Sequence, residues 1–407
     1  MNILFVCKNM ESANGICVLS VAKALSKSNN VYILNSSQKA TDEGRIEYIY
    51  LQNDFFSRLS KVTNIFLKKI AVIGNKIWIV FMYPKWPFSR PLYYKRLKGV
   101  CDSVVNEKKI DVVIPVYGPI ETVLAAKKVA EKYNLLLIPY FLDSLLGGPT
   151  PRFMSKQKKE RKAIKLEKEI VNKSNKIFMM LSAKKIYSEC EYNKKIVFLD
   201  LPLLSKRNEY RSRNSLSGKN EKVIVFVGNI SKSIRNPEFI LSVLCSLKIK
   251  YECYFIGNSD CEALFEKYIR KDHRIHKLAA VSYSEAQKYL EKANYLLNIG
   301  NSLEYMVPSK IFEYFSYSKP IITTTKLDND PAIEYIKKYN KAVVLDERVC
   351  TEKGVELLEH FLELSENEMK VDDSIYQTLY LNTPEAFVDN LERVIRDEDK
   401  NISKDMV

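Results

Sequence analysis

At 407 residues, with 46% hydrophobic and 28% charged content, the chain is too long for one ordinary core and has the balance of a soluble globular protein, so two domains are expected. Its net charge of +15 is unevenly spread. Residues 1–220 hold 39 Lys and Arg against 18 Asp and Glu, a net of +21, and residues 221–407 hold 25 against 31, a net of −6. The N-terminal half should therefore face something anionic: a membrane surface, a lipid phosphate or a nucleic acid.

The start, "MNILFVCKNM", has no basic run before its apolar stretch and no small-residue cleavage site. It reads as a first β-strand rather than a signal peptide. "NILFVC", "VYILN", "YIYLQ", "VVIPVYG", "LLLIPYF", "KIFMML" and "IVFLDLP" follow one another as strands, with helices expected over residues 16–28, 120–133 and 155–174. The longest greasy stretch, residues 70–84, is broken by Asn75 and Lys76 and is too short to span a bilayer. The basic, aromatic segment 75–98 reads in two ways. It is a membrane-facing surface, with Trp78, Trp86 and Phe88 at the interface, or a core strand and helix with a solvated basic rim. Residues 205–221, "SKRNEYRSRNSLSGKNE", are polar and aperiodic, and serve as the interdomain linker. Then "KVIVFVGNIS", "YECYFIGN", "IHKLAAVS", "NYLLNIGN", "PIITTT" and "AVVLDE" alternate with further helices. Strands of this kind between helices imply parallel sheets covered on both faces. The expectation is an α/β chain of two Rossmann-like doubly wound domains facing across a cleft, over 1–204 and 222–380. A C-terminal helix in 381–407 returns to the first domain.

In such sheets ligands bind beyond the carboxyl ends of the strands, so residues just after strands carry the argument. Pro308 suits the first turn of a helix, with Lys310 at its mouth and Glu313 one turn on. Helix dipole and lysine would hold a diphosphate, and the carboxylate would accept from sugar hydroxyls; the competing reading is a surface ion pair. In "VFVGNISKSIRNPEFILSVL" (225–244), Gly228 lets the backbone approach a ligand and Arg235 precedes a helix opened at Pro237. Two cations at two helix starts suggest one anionic ligand. Asp143, after "LLLIPYF", is either a catalytic carboxylate or a helix cap before "SLLGG". His273, His276 and His360 all lie in the second half, which removes a histidine base from the first. Eight scattered cysteines without a C-x-x-C pair suit free thiols in a reducing cytoplasm, and no metal site is expected.

These residues resemble a known family. "VGN…IRNP", "VSYSEAQKYLEKANYLLNIGN" and "PSKIFEYFSYSKPII" look like the donor domain of retaining GT-B-fold glycosyltransferases, most like family 4 of bacterial polysaccharide assembly. The specific part spans about residues 222–325. The resemblance implies that Glu313 binds the ribose hydroxyls and that Arg235, assisted by Lys310, grips the donor diphosphate. It also implies that Val281 and Ser282 meet the base and that Gly15 lies in a glycine loop closing near sugar and acceptor. The family's first glutamate would fall at Tyr305, with Glu304 one place off, and Asn229 replaces a residue that is often basic. The implied activity is metal-independent, cofactor-free transfer from a UDP-sugar. The acceptor would be an undecaprenyl-diphosphate-linked saccharide at the inner membrane, in capsule, O-antigen or exopolysaccharide synthesis. The alternatives are a nucleotide-sugar epimerase of the same fold and a basic nucleic-acid-binding protein.

Overall fold

Parallel strand pairing organises both halves of the chain. The computed structural model describes residues 1–37, 43–52, 74, 78, 82–148, 150–151, 153–205, 222–302, 307–364 and 374–405. The chain divides into two units, Met1–Leu203 with Leu381–Val407, and Leu204–Tyr380.

In the first unit, β1 (Asn2–Val6), β2 (Asn30–Asn35), β3 (Ile46–Tyr50), β4 (Val112–Pro115) and β5 (Leu136–Leu137) form a sheet ordered β3-β2-β1-β4-β5. A second sheet, β6 (Tyr140–Phe141), β7 (Ile177–Met180) and β8 (Ile196–Leu199), continues it through a parallel bridge between Val116 and Tyr140. The stretch "LLLIPYF" is thus two short strands rather than the expected one. Pro139 has no N–H to give to the ladder and interrupts it. Ile138 N still donates to Val113 O, and Pro139 O accepts from Phe178 N.

Among the helices packed on these strands are α1 (Ala13–Leu25), α2 (Pro91–Lys108), α3 (Ile120–Tyr133) and α4 (Lys156–Asn172). α1 begins three residues before the expected 16, because Ser12 caps it and accepts a bond from Gly15 N. Gly15 is therefore in the first helical turn and not in the loop. A Cβ there would lie 2.3 Å from Met10 Cα, so only glycine lets residues 9–10 close down on the helix.

Trp78, Trp86 and Phe88 are all half-buried. The Trp78 indole donates to Ser89 O at 2.9 Å, and Phe88 meets Tyr94 edge-on at 5.5 Å. Phe88 thus packs in part against the unit's own core. The remainder of the 75–81 stretch lies outside the described residues.

The second unit holds one six-stranded parallel sheet of β9 (Lys222–Val227), β10 (Tyr251–Ile256), β11 (Ile275–Leu278), β12 (Tyr295–Asn298), β13 (Ile321–Thr325) and β14 (Ala342–Asp346). Its order, β11-β10-β9-β12-β13-β14, is the doubly wound 3-2-1-4-5-6, whose direction reverses between β9 and β12. Helices α5 (Glu238–Ser246), α6 (Glu262–Lys271), α7 (Tyr283–Lys292), α8 (Lys310–Phe315), α9 (Pro331–Ile336) and α10 (Thr351–Glu363) connect the strands. A core of Ile224, Phe226, Leu241, Leu244, Phe255 and Leu297, among others, fills the space between sheet and helices.

The last helix, α11 (Pro384–Asp405), belongs to the first unit. Phe387, Leu391 and Val394 recur at helical spacing and are buried. The Phe387 ring sits 5.0 Å from Phe178 and 5.1 Å from Tyr140. Ser205, the one described residue of the expected linker, donates its N–H to Ser316 Oγ and accepts from Tyr376 at its carbonyl.

Candidate functional site

The switch point of the second unit opens because β9 and β12 stop pairing early. Their register covers Ile224 and Val225 only, while β9 runs two residues further beside β10. Val227 N–H, left without a strand partner on that side, donates to the hydroxyl of Tyr314 at 3.1 Å. That bond ties α8 to the strand just before Gly228.

Three glycines line the carboxyl edge here. A Cβ on Gly257 (φ +145°) would lie 2.0 Å from Gly228 O, and one on Gly300 would lie 2.3 Å from Thr324 O. Each follows its strand as an apolar-Gly-Asn step: "FVGN" at 226–229, "FIGN" at 255–258 and "NIGN" at 298–301. This recurrence is visible in the sequence and marks three of the strand ends that frame the site.

The loop after Gly228 is held from both sides. Asp260 accepts from Lys232 N at 2.7 Å and from Ser231 Oγ at 3.1 Å, and its carboxyl is held below the usual range, chiefly by the Lys232 N–H. Ser302, after β12, donates its N–H to Ile234 O at 2.9 Å and its hydroxyl to Ser233 O. Arg235 N closes the loop on Ser231 O at 2.7 Å.

This rigid loop presents Arg235, whose side chain is half-buried with Nε shielded from water. No side-chain hydrogen bond or ion pair reaches its guanidinium among the described residues. Desolvation lowers its pKa, offset in part by nearby Tyr314. A cation removed from water without a counter-charge costs free energy. A guanidinium held in this way can pair with an anionic oxygen.

Lys310 and Glu313 occupy α8 as the spacing required, but they answer each other. Lys310 Nζ lies 2.6 Å from Glu313 Oε2, and Glu313 is only 5% exposed. The pair is thus neither a surface pair nor a bare cation beside a bare carboxylate. The helix also begins at Lys310 rather than Pro308, whose carbonyl accepts from Ile311 N. With six residues and one early N–H already bonded, α8 offers less dipole than expected. Among the described residues, the charge at this edge that no side chain answers is that of Arg235.

Val281 and Ser282 follow β11, where Ser282 caps α7 by accepting from Glu285 N. Tyr283 joins this segment to α8, its ring 5.4 Å from Lys310 Nζ. The structure thus brings Gly228, Arg235, Lys310, Glu313, Val281 and Ser282 to one edge of one sheet. Tyr305 and Glu304 lie outside the described residues. Tyr314, Ser302 and Asp260, which shape this edge, were not singled out in the sequence.

The first unit has its own switch point between β1 and β4, bridged by Asn14 Nδ2 donating to Tyr117 O at 3.0 Å. Asp143 follows β6. It caps no helix; a turn follows it, closed by Ser144 Oγ accepting from Gly147 N at 2.7 Å. Desolvation raises its carboxyl above the usual range although the side chain keeps an exposed face. Beneath this turn, buried Glu167 accepts from Leu146 N and from the hydroxyls of Tyr187 and Tyr192. Lys159, also buried, donates to Leu146 O and Gly148 O. Among the described residues no three His, Cys, Asp or Glu side chains gather as metal ligands.

No family model matches the chain, and no curated protein matches it in sequence. Solved structures do match in fold. The lipopolysaccharide outer core galactosyltransferase WaaB, in its apo form, aligns over 98% of this chain and 100% of its own, with TM-score 0.53 and 14% identity. Anabaena HepE in complex with UDP-glucose aligns over 99% and 100%, with TM-score 0.57 and 10% identity. A putative UDP-N-acetylglucosamine 2-epimerase from Listeria monocytogenes aligns over 98% and 97%, also with TM-score 0.57 and 10% identity. The fold class is GT-B, α/β with two Rossmann-like doubly wound parallel-sheet domains. A galactosyltransferase and a putative epimerase share it, so the fold alone makes no choice between their activities.

Proposed function

We propose that the chain is a retaining, metal-independent glycosyltransferase of the family 4 type. It would take the sugar of a nucleotide-diphosphate donor, UDP-linked, and pass it to a saccharide acceptor. The observation that carries this reading is the desolvated Arg235 guanidinium at the switch point, which lacks an acidic partner among the described residues. A diphosphate would supply the missing charge, and its fork of oxygens suits a guanidinium. Glu313, with Lys310 beside it, would accept from the ribose hydroxyls. Val281 and Ser282 would face the base. Gly15 would hold the first unit's loop near sugar and acceptor.

In the reaction, the bond from the anomeric carbon to the diphosphate oxygen breaks and a bond to the acceptor oxygen forms. The acceptor's proton passes to the departing phosphate, so no protein nucleophile is needed. Arg235 stabilises the negative charge as it develops, the role electrostatic groups play in such transfers. Asp143, which follows β6, would orient the acceptor. The acceptor we propose is a saccharide on an undecaprenyl-diphosphate carrier, in surface polysaccharide synthesis at the cytoplasmic membrane face. WaaB is a galactosyltransferase and HepE was solved in complex with UDP-glucose, which supports a UDP-sugar donor.

A thermal-shift panel of nucleoside diphosphates tests the donor half: UDP at about 100 times its dissociation constant should stabilise by about 2.7 kcal/mol. No response to any nucleoside diphosphate would overturn the reading. Incubation with UDP-sugar alone tests the epimerase alternative, for which the Listeria likeness speaks. An epimerase converts the donor without an acceptor, and a transferase leaves its sugar's configuration unchanged.

A further inference from the structure

Helix α4 commits two buried charges of opposite sign to one short turn. Lys159 and Glu167 lie about two helical turns apart, 3% and 2% exposed, and neither forms an ion pair among the described residues. Both serve the stretch 144–148, which follows Asp143. Lys159 Nζ donates to Leu146 O and, at 2.7 Å, to Gly148 O. Glu167 Oε1 accepts from Leu146 N at 3.2 Å and from the Tyr187 hydroxyl at 2.6 Å, and its Oε2 accepts from the Tyr192 hydroxyl at 3.1 Å. Tyr187 gives its proton to Glu167, so the 2.9 Å contact between Ser144 Oγ and the Tyr187 oxygen runs from serine to tyrosine. Ser144 Oγ in turn accepts from Gly147 N. A turn at the surface can find such bonds in water. Taking two charges out of water to supply them is costly, and is a poor way to gain stability.

The chain before Asp143 is fixed as well. Tyr117 N donates to Tyr140 O at 2.9 Å, and the Tyr117 ring stacks on Phe141 at 5.0 Å. Tyr117 is the residue that Asn14 bridges at the first unit's switch point. We infer that Glu167 and Lys159 are positioning residues: with Tyr187 they hold the 144–148 turn so that Asp143 keeps one place beside that switch point, ready to accept from an acceptor hydroxyl. The inference rests on the reading that Asp143 orients the acceptor, and it assigns the groups that set where this carboxylate stands. A turn already ordered spares the acceptor the cost of ordering it on binding.

The two tyrosines provide the test. Both hydroxyls bond Glu167, but only that of Tyr187 reaches Ser144 and Leu146. A merely structural network makes Tyr187→Phe and Tyr192→Phe alike. Under the proposal, Tyr187→Phe in the full chain should speed amide hydrogen exchange over residues 143–148 about two- to tenfold, the effect of one lost hydrogen bond. Tyr192→Phe should leave that exchange unchanged, and Lys159→Met should speed it at least as much as Tyr187→Phe. With aspartate labelled in carbon-13, the Asp143 carboxyl signal is the one lost in Asp143→Asn. Its titration should move toward the ordinary carboxylate range in Tyr187→Phe and Glu167→Gln, where water reaches the loosened turn, and stay as in wild type in Tyr192→Phe. UDP release from UDP-glucose, with a prenyl-diphosphate-linked saccharide as the probe acceptor, carries the functional arm. Tyr187→Phe should raise the KM for the saccharide about tenfold and leave that for UDP-glucose unchanged. A wild type that releases no UDP strikes the transferase reading and leaves the exchange and titration results standing. Exchange and titration unmoved by Tyr187→Phe, or moved equally by Tyr192→Phe, overturn the proposal.

Discussion

Replacing Arg235 with methionine separates a ligand-binding arginine from a structural one, because the two make opposite predictions for the ligand-free protein. A structural arginine holds the fold through partners, and its removal lowers stability. Arg235 has no side-chain partner among the described residues and is desolvated. Methionine keeps most of its length and apolar contact, so the free protein should melt at the same temperature or slightly higher. Relief of an uncompensated functional charge commonly yields about 0.5–2 kcal/mol.

The cost appears on binding. Losing a charged hydrogen-bonding partner costs about 1.5–3 kcal/mol, roughly ten- to a hundredfold in affinity. At a UDP concentration about 100 times the wild-type dissociation constant, wild type gains about 2.7 kcal/mol. A variant weakened about thirtyfold gains only about 0.8 kcal/mol. For a unit of this size, about 2–4 °C per kcal/mol makes the difference easily read by differential scanning fluorimetry. A melting temperature that falls without ligand, with the UDP-induced shift preserved, would refute the reasoning.

The Lys310–Glu313 pair should show non-additivity: Lys310→Met alone removes the ammonium 2.6 Å from buried Glu313 Oε2 and should cost about 3–5 kcal/mol of stability. Adding Glu313→Gln should restore much of that loss in urea unfolding while UDP affinity stays weak. Asp272 is crowded by burial, which raises its pKa, but the Arg274 bonds at 2.7 and 2.8 Å outweigh that and leave it lowered. Its contribution is therefore present above the ordinary carboxylate range and lost as pH falls through its lowered pKa. Asp272→Asn should cost about 3 kcal/mol at neutral pH and flatten the acid limb of the stability profile; an unchanged limb contradicts the assignment. Gly257→Ala, which drives a Cβ toward Gly228 O, should destabilise the second unit by about 1–3 kcal/mol and weaken UDP binding in the same calorimetric series. Asp143→Asn should lower transfer about ten- to a hundredfold, the cost of losing a charged hydrogen-bonding partner, with its melting temperature unchanged. In wild type, activity that needs the charged Asp143 should be lost as pH falls, starting above the ordinary carboxylate range, since desolvation raises that group.

Much of the architecture was legible because strand and helix periodicities are local. Val- and Ile-rich runs separated by helical patterns specify buried parallel strands whatever lies around them. The positions of the candidate site residues were equally legible: Gly228 and Arg235 follow β9, and Lys310 and Glu313 lie in the helix after β12. Boundaries were less so. Proline's missing donor split "LLLIPYF", and a serine cap moved α1 upstream to take in Gly15, both of them hydrogen-bond details that periodicity does not report.

What the tertiary structure decided is which charges face each other. Spacing put Lys310 and Glu313 on one side of a helix, but whether they were exposed, buried, paired or apart depended on α8 folding against the sheet through Tyr314. Arg235 and Tyr314 are 79 positions apart in sequence and become neighbours only because β9 and β12 adjoin at the switch point. Burial and electrostatic partnership are sums over neighbours brought from distant parts of the chain. A linear sequence states the groups that carry the chemistry; the fold determines which of them are left uncompensated.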